Sequence, residues 1–170
     1  NNLNTLGKLS IRDLEQYKGI GSAKAITILA ACELGKRRQK ATVEEAPILN
    51  SAENIYQFMH TTIQDLDIEE GWVLMMKQNF RLIEAKRISV GGLTMAPVDL
   101  RLMMKEVLLK NTTVLAFCHN HPSGSTNPSR DDDILTSHIH KACELLHIHF
   151  ADHVILTDGG YFSYREEGKL

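Results

Sequence analysis

The chain has 170 residues, 43% of them hydrophobic, a formal charge of −2 and three cysteines. That size supports one main hydrophobic core with a small appendage, and the near-neutral charge excludes a global electrostatic pull toward nucleic acid. Cys32, Cys118 and Cys143 form no C-x-x-C pair, which argues against a thiolate metal site and for a reducing compartment.

Residues 1–40 read as a helical unit of their own. A chain that opens at Asn1 in mid-pattern is expected to be truncated at its N-terminus. Ser10 caps a short helix over residues 11–17, and Lys18-Gly19-Ile20-Gly21 turns the chain. A second helix starts at Ser22 and runs to about Lys36, with a basic exit as far as Lys40 and a linker over residues 41–49. The stretch from Tyr17 to Ile26 resembles a helix-hairpin-helix element. Such a hairpin offers backbone N–H groups to a phosphate without reading bases. Gly19, Gly21 and Lys24 are therefore the candidate contacts for non-specific DNA. The competing reading is a hairpin whose glycines permit the turn and whose Ala23, Ala25 and Ile28 pack.

Residues 50–170 form the second unit. Ser51 caps a helix to about Thr61. Residues 69–76 and 80–89 read as paired strands joined by Lys77-Gln78-Asn79, and Gly91-Gly92 breaks the pattern before a helix over residues 100–110. A buried apolar strand follows over residues 112–118, then a polar loop and a helix capped by Ser129. Along that helix Ile134, Leu135, Ile139 and Ala142 keep helical spacing. A strand over residues 147–156, the Asp158-Gly159-Gly160 turn and residues 161–164 close the chain as a hairpin. Strands interleaved with helices give an α/β (α+β) fold, a mixed β-sheet flanked by helices, preceded by the small helical hairpin. No apolar stretch approaches the ~18 residues of a membrane span and no signal peptide opens the chain, so no membrane contact and a cytoplasmic protein are expected.

The chemistry concentrates in residues 119–132. His119 and His121 leave a buried strand on one face, and two polar imidazoles there need a reason to be present. Ser129 as N-cap puts Asp132 in the first helical turn, where a folded-back loop can bring it beside both rings. Two imidazoles and a carboxylate suit zinc at about 2.0–2.2 Å and leave a fourth position for water, whose pKa zinc lowers to near 7. The plainer reading is an S-x-x-D capping box after two ordinary strand histidines. Another H-x-H, His147 and His149, has no acid at that interval and reads as half-exposed strand residues. Asp152-His153 reads as an orienting pair near the site. His138 and His140 fall on a helix surface, and Met75, Met76, Met103 and Met104 read as core filler.

The pattern H-x-H-P, six residues, S, two residues, D resembles the signature of JAMM/MPN metalloproteases, which have a cytidine-deaminase-like fold. His119-Asn120-His121-Pro122-Ser123-Gly124 with Pro128-Ser129 is similar to the bacterial RadC branch. Val98-Asp99-Leu100-Arg101, with leucine where that branch has proline, Ile148 through Ile155 and Ser163 through Gly168 extend the likeness over nearly the whole chain. The resemblance implies one zinc per chain on His119, His121 and Asp132, with Ser129 stabilising an oxyanion, a role that competes with N-capping. It implies Glu69 as general base, in register with E-x-x-x-[IV]-L, whereas Glu70 would face the opposite way. It further implies hydrolysis of peptide or isopeptide bonds and a DNA-repair association. The rival expectation is a non-enzymatic DNA-associated module with a structural zinc. A zinc deaminase is disfavoured, since its cysteine ligands are absent.

Overall fold

The computed structural model describes residues 3–40, 46–91 and 98–170. Most of the expected linker (41–45) and Gly92 lie outside the described residues. The chain divides into two compact units, Asn1–Glu45 and Ala46–Leu170.

In the first unit, α1 (Leu3–Leu6), α2 (Ile11–Glu15) and α3 (Ser22–Lys40) are helical. Ser10 caps α2 in a reciprocal capping box with Asp13, and Leu14 is buried beneath it. The helix stops at Glu15 rather than Tyr17 because the turn begins earlier: the Tyr17 and Ile20 amides donate to Leu14 and Tyr17 carbonyls. Gly19 completes that turn at φ 87°, a region only glycine enters without strain. Helix α3 continues through the basic residues to Lys40, since nothing after Lys36 breaks it. Ala25 is buried and Ile28 half-buried, but Ala23 is exposed, so its expected packing is corrected.

The second unit is a three-layer sandwich. Its helices are α4 (Ala52–Ile63), α5 (Leu100–Leu109) and α6 (Arg130–Leu145). Its strands are β1 (Glu70–Met76), β2 (Leu82–Val90), β3 (Val114–Asn120), β4 (His149–Thr157) and β5 (Gly160–Ser163), in sheet order β2-β1-β3-β4-β5. Only β3 and β4 are parallel, joined by the α6 crossover; the other neighbours are antiparallel. The mixed sheet with helices on both faces is the expected fold class.

Alternation in β1 and β3 splits the core in two. Leu74, Met76, Val114, Ala116 and Cys118 pack under α4, while Val73, Met75, Leu115 and Phe117 pack under α5 and α6. Continuous apolar runs in these strands follow from burial on both faces. The four expected core methionines, Met75, Met76, Met103 and Met104, are all buried. Gly71 of β1 sits opposite His119, and a Cβ there would strike the Ser89 hydroxyl and, at 2.9 Å, the Phe117 ring.

Several boundaries differ from the sequence expectation for local reasons. Phe80 adopts φ 60° and its amide closes the turn onto Lys77, so β2 begins only at Leu82. Helices α5 and α6 end in the same left-handed cap. The amides of Thr112 and Ile148 reach back to the Val107 and Cys143 carbonyls, with Asn111 at φ 50° and His147 at φ 54°. His147 is therefore an exposed helix cap and not a strand residue, and His149, the first residue of β4, is exposed. The central strand runs on through His119 and Asn120, which pair with β1, β4 or both. On α6 the buried positions are Asp132, Thr136, Ile139 and Cys143, while Ile134 is 45% exposed.

Candidate metal centre

The C-terminal end of β3, the loop after it and the first turn of α6 meet at one point. His119 belongs to the strand face that looks toward α6. His121 lies just past the strand end, its amide held by the Leu156 carbonyl of β4 at 2.9 Å. The loop reverses at Gly124, φ 76°, and delivers Ser129 as N-cap of α6. Asp132 stands in that first turn, where acidic groups also oppose the helix dipole.

His119 Nε2 lies 3.0 Å from His121 Nε2 and 3.2 Å from Asp132 Oδ1, and His121 Nε2 lies 3.7 Å from Asp132 Oδ2. One ligand atom from each of the three residues falls within 4.8 Å of the others, a grouping able to hold a metal ion. His121 Nδ1 is 2.7 Å from the Ser125 carbonyl, which can only accept, so this nitrogen carries the hydrogen. With that ring neutral, a bare Nε2 faces His119 and the carboxylate, a grouping of electron pairs that suits a cation. Burial alone would raise the Asp132 pKa. The His119 and His121 imidazoles and the Ser129 hydroxyl outweigh it and hold this carboxyl far below the usual range. His121 is pushed up, chiefly by Asp132.

Ser129 and Asp132 form a reciprocal capping box. The Ser129 amide and hydroxyl both donate to Asp132 Oδ2 at 2.7 Å, and the Asp132 amide donates to Ser129 Oγ at 3.2 Å. The serine hydrogen is thus engaged by the carboxylate, as the capping reading of Ser129 requires.

Glu69 precedes β1 and brings Oε1 to 4.0 Å from His119 Nε2, with its side chain 27% exposed. Glu70 is turned away and buried, bonded to Arg87 Nη1 at 2.6 Å and to the Trp72 indole at 3.2 Å. Asn120 holds the main chain on both sides of Glu69. Its Oδ1 accepts from the Glu70 amide at 2.8 Å and its Nδ2 donates to the Ile68 carbonyl at 2.9 Å. Sequence reasoning missed Asn120, because its partners lie 50 and 52 residues away.

Asp152 and His153 do not act as a pair. Adjacent residues of a strand serve opposite faces, and after an upstream register shift at Leu115/Ala116 Asp152 stands opposite Ala116 and His153 opposite Phe117. Asp152 accepts from the Ser163 hydroxyl and the Arg165 amide. His153 meets His119 Nδ1 through Nε2 at 2.9 Å, and burial drives its pKa well below the ordinary value. Burial also pushes the Cys118 thiol up and the Cys143 thiol up to about 12, so neither of these two is a ready thiolate.

An open cleft of about 560 Å³ runs beside His121, walled in part by Asp65, Asp67, Asn120 and Pro122. In the first unit, Lys24 Nζ donates to the Gly19 carbonyl at 2.8 Å, so its charge turns back onto the hairpin. Gly21 is exposed and precedes α3. His138 and His140 are exposed on α6. No described helix is long and apolar enough to cross a membrane.

Comparison with known proteins agrees with this arrangement. Residues 49–169 match the RadC-like JAB domain family. The chain is 40% identical over 167 residues to a UPF0758 protein of Flavobacterium johnsoniae, covering 98% of this chain and 73% of that protein. A UPF0758 protein of Porphyromonas gingivalis is 35% identical over 172 residues, with 100% and 76% covered. One from Trichlorobacter lovleyi is 35% identical over 169 residues, with 99% and 74% covered. The match spans the sheet, the histidine loop and the capped helix together, and on that extent the chain belongs to the RadC-like JAB domain family.

Proposed function

We propose that this protein is a zinc-dependent hydrolase of peptide or isopeptide bonds. The observation that carries the reading is the meeting of His119, His121 and Asp132, with the Glu69 carboxylate 4.0 Å from His119 Nε2. Zinc suits two imidazoles and a carboxylate, and when bound it supplies Lewis acidity that makes water reactive near neutral pH.

The remaining work falls to the chain itself. Glu69 Oε1 takes a proton from the attacking water and returns it to the leaving amine. Asn120 keeps Glu69 at the site by fixing the amide after it and the carbonyl before it. Ser129 holds Asp132 through its hydroxyl, and that hydroxyl serves a substrate oxyanion by turning away from Oδ2.

A Glu69→Gln protein tests the assignment. It is expected to retain zinc and to lose hydrolysis of a peptide or lysine-linked isopeptide substrate by at least ~100-fold. Undiminished hydrolysis would remove Glu69 as the base.

A further inference from the structure

We propose that Thr136 and His153 are positioning residues that lock His119 in the tautomer whose Nε2 is free to bind a metal ion. The inference rests on the metal-site reading above and names what enforces it.

The chain of hydrogen bonds has one direction. The Asp132 main-chain oxygen can only accept, and Thr136 Oγ1 lies 2.6 Å from it. A hydroxyl has one hydrogen, so toward His153 Nδ1, also at 2.6 Å, Thr136 offers a lone pair. Nδ1 of His153 must then carry the hydrogen. His153 is 0% exposed, and its nitrogens face a hydroxyl and another imidazole, neither of them anionic, so the sealed ring is uncharged. Its Nε2 is therefore bare and accepts from His119 Nδ1–H at 2.9 Å. What remains on His119 is a bare Nε2, the atom that looks at His121 and Asp132.

Packing keeps the ring from turning over. Tyr164 stacks on His153 at 4.8 Å and 5°, and Phe117 meets it edge-on at 5.0 Å and 65°. The relay also begins and ends on one residue: Asp132 anchors Thr136 with its main-chain oxygen and faces His119 with its carboxylate. With the opposite polarity, a hydrogen on His119 Nε2 would point into the site and exclude a cation. His121 needs no such chain, because the Ser125 carbonyl sets its tautomer directly. Partners beyond the ligands that fix ring orientation in this way typically change metal affinity 10–100-fold when removed.

Two measurements test the relay. Zinc affinity, read by competition with a chelating dye, is expected to fall roughly 10–100-fold in Thr136→Val and to stay near the parent value in Thr136→Ser. That contrast separates the hydroxyl from the shape of the side chain. In the unsubstituted, metal-free protein, ¹⁵N-histidine NMR is expected to find the His153 hydrogen on Nδ1. Parent-like zinc affinity in Thr136→Val, equal weakening in Thr136→Ser, or a hydrogen on His153 Nε2 would overturn the proposal. If the parent protein binds no zinc, the metal reading fails, and the NMR result still decides the relay by itself.

Discussion

His119 and His121 close the C-terminal end of β3, whereas His147 and His149, with the same spacing, precede and open its parallel neighbour β4. In the β3–β4 register Val114 faces His149 and His119 faces Ile155, so the two pairs occupy opposite ends of the sheet. Helix α6 connects them, and its two ends differ in chemistry. Its first turn carries Asp131, Asp132 and Asp133 behind a serine cap and sets Asp132 against the first pair. Its last turn has no basic residue and ends in the left-handed cap that uses His147 itself. In this chain the H-x-H able to hold a metal is the one at the start of the adjoining helix. The polarity of a helix decides whether carboxylates or carbonyls gather there.

The comparison can be broken at three strengths. Replacing His119 or Asp132 with alanine is expected to weaken zinc binding by more than ~100-fold, beyond the loss expected for an orienting residue. His149→Ala should leave zinc binding unchanged in the same dye competition. An equal effect at both ends would dissolve the distinction. Asn120→Ala should cost about 1–3 kcal/mol in denaturant unfolding, because the buried Glu70 amide loses its acceptor. It should also lower turnover while zinc affinity holds, since it frees the chain around Glu69. His147→Gly is the smallest change. Relief of φ 54° should stabilise the protein by up to about 1 kcal/mol with no effect on metal, measured by the same unfolding.

The ligand spacing, the N-cap and the facing of Glu69 and Glu70 were legible because each depends on a few neighbouring residues. The periodicity of α6 misled for a physical reason. Asp132 and Thr136 are buried through hydrogen bonds, so the inward stripe is partly polar and Ile134 is left outside. Thr136 and Asn120 carry no local signal, since their importance depends on partners contributed by other elements. His153 stood out as a histidine on a strand, but alternation turns it to the opposite face from Asp152, and its partners His119 and Thr136 come from other elements. His147 looked like a strand residue because nothing in its side chain announces a positive φ.

Asp132 divides its two oxygens between separate duties. Oδ2 secures the start of α6 through the Ser129 amide and hydroxyl, while Oδ1 lies 3.2 Å from His119. Stripping an ion from the imidazoles would therefore leave the helix still fastened, with no carboxylate stranded. The start of α6 thus has a fastening of its own, and its first turn is expected to persist whether or not an ion sits between the imidazoles.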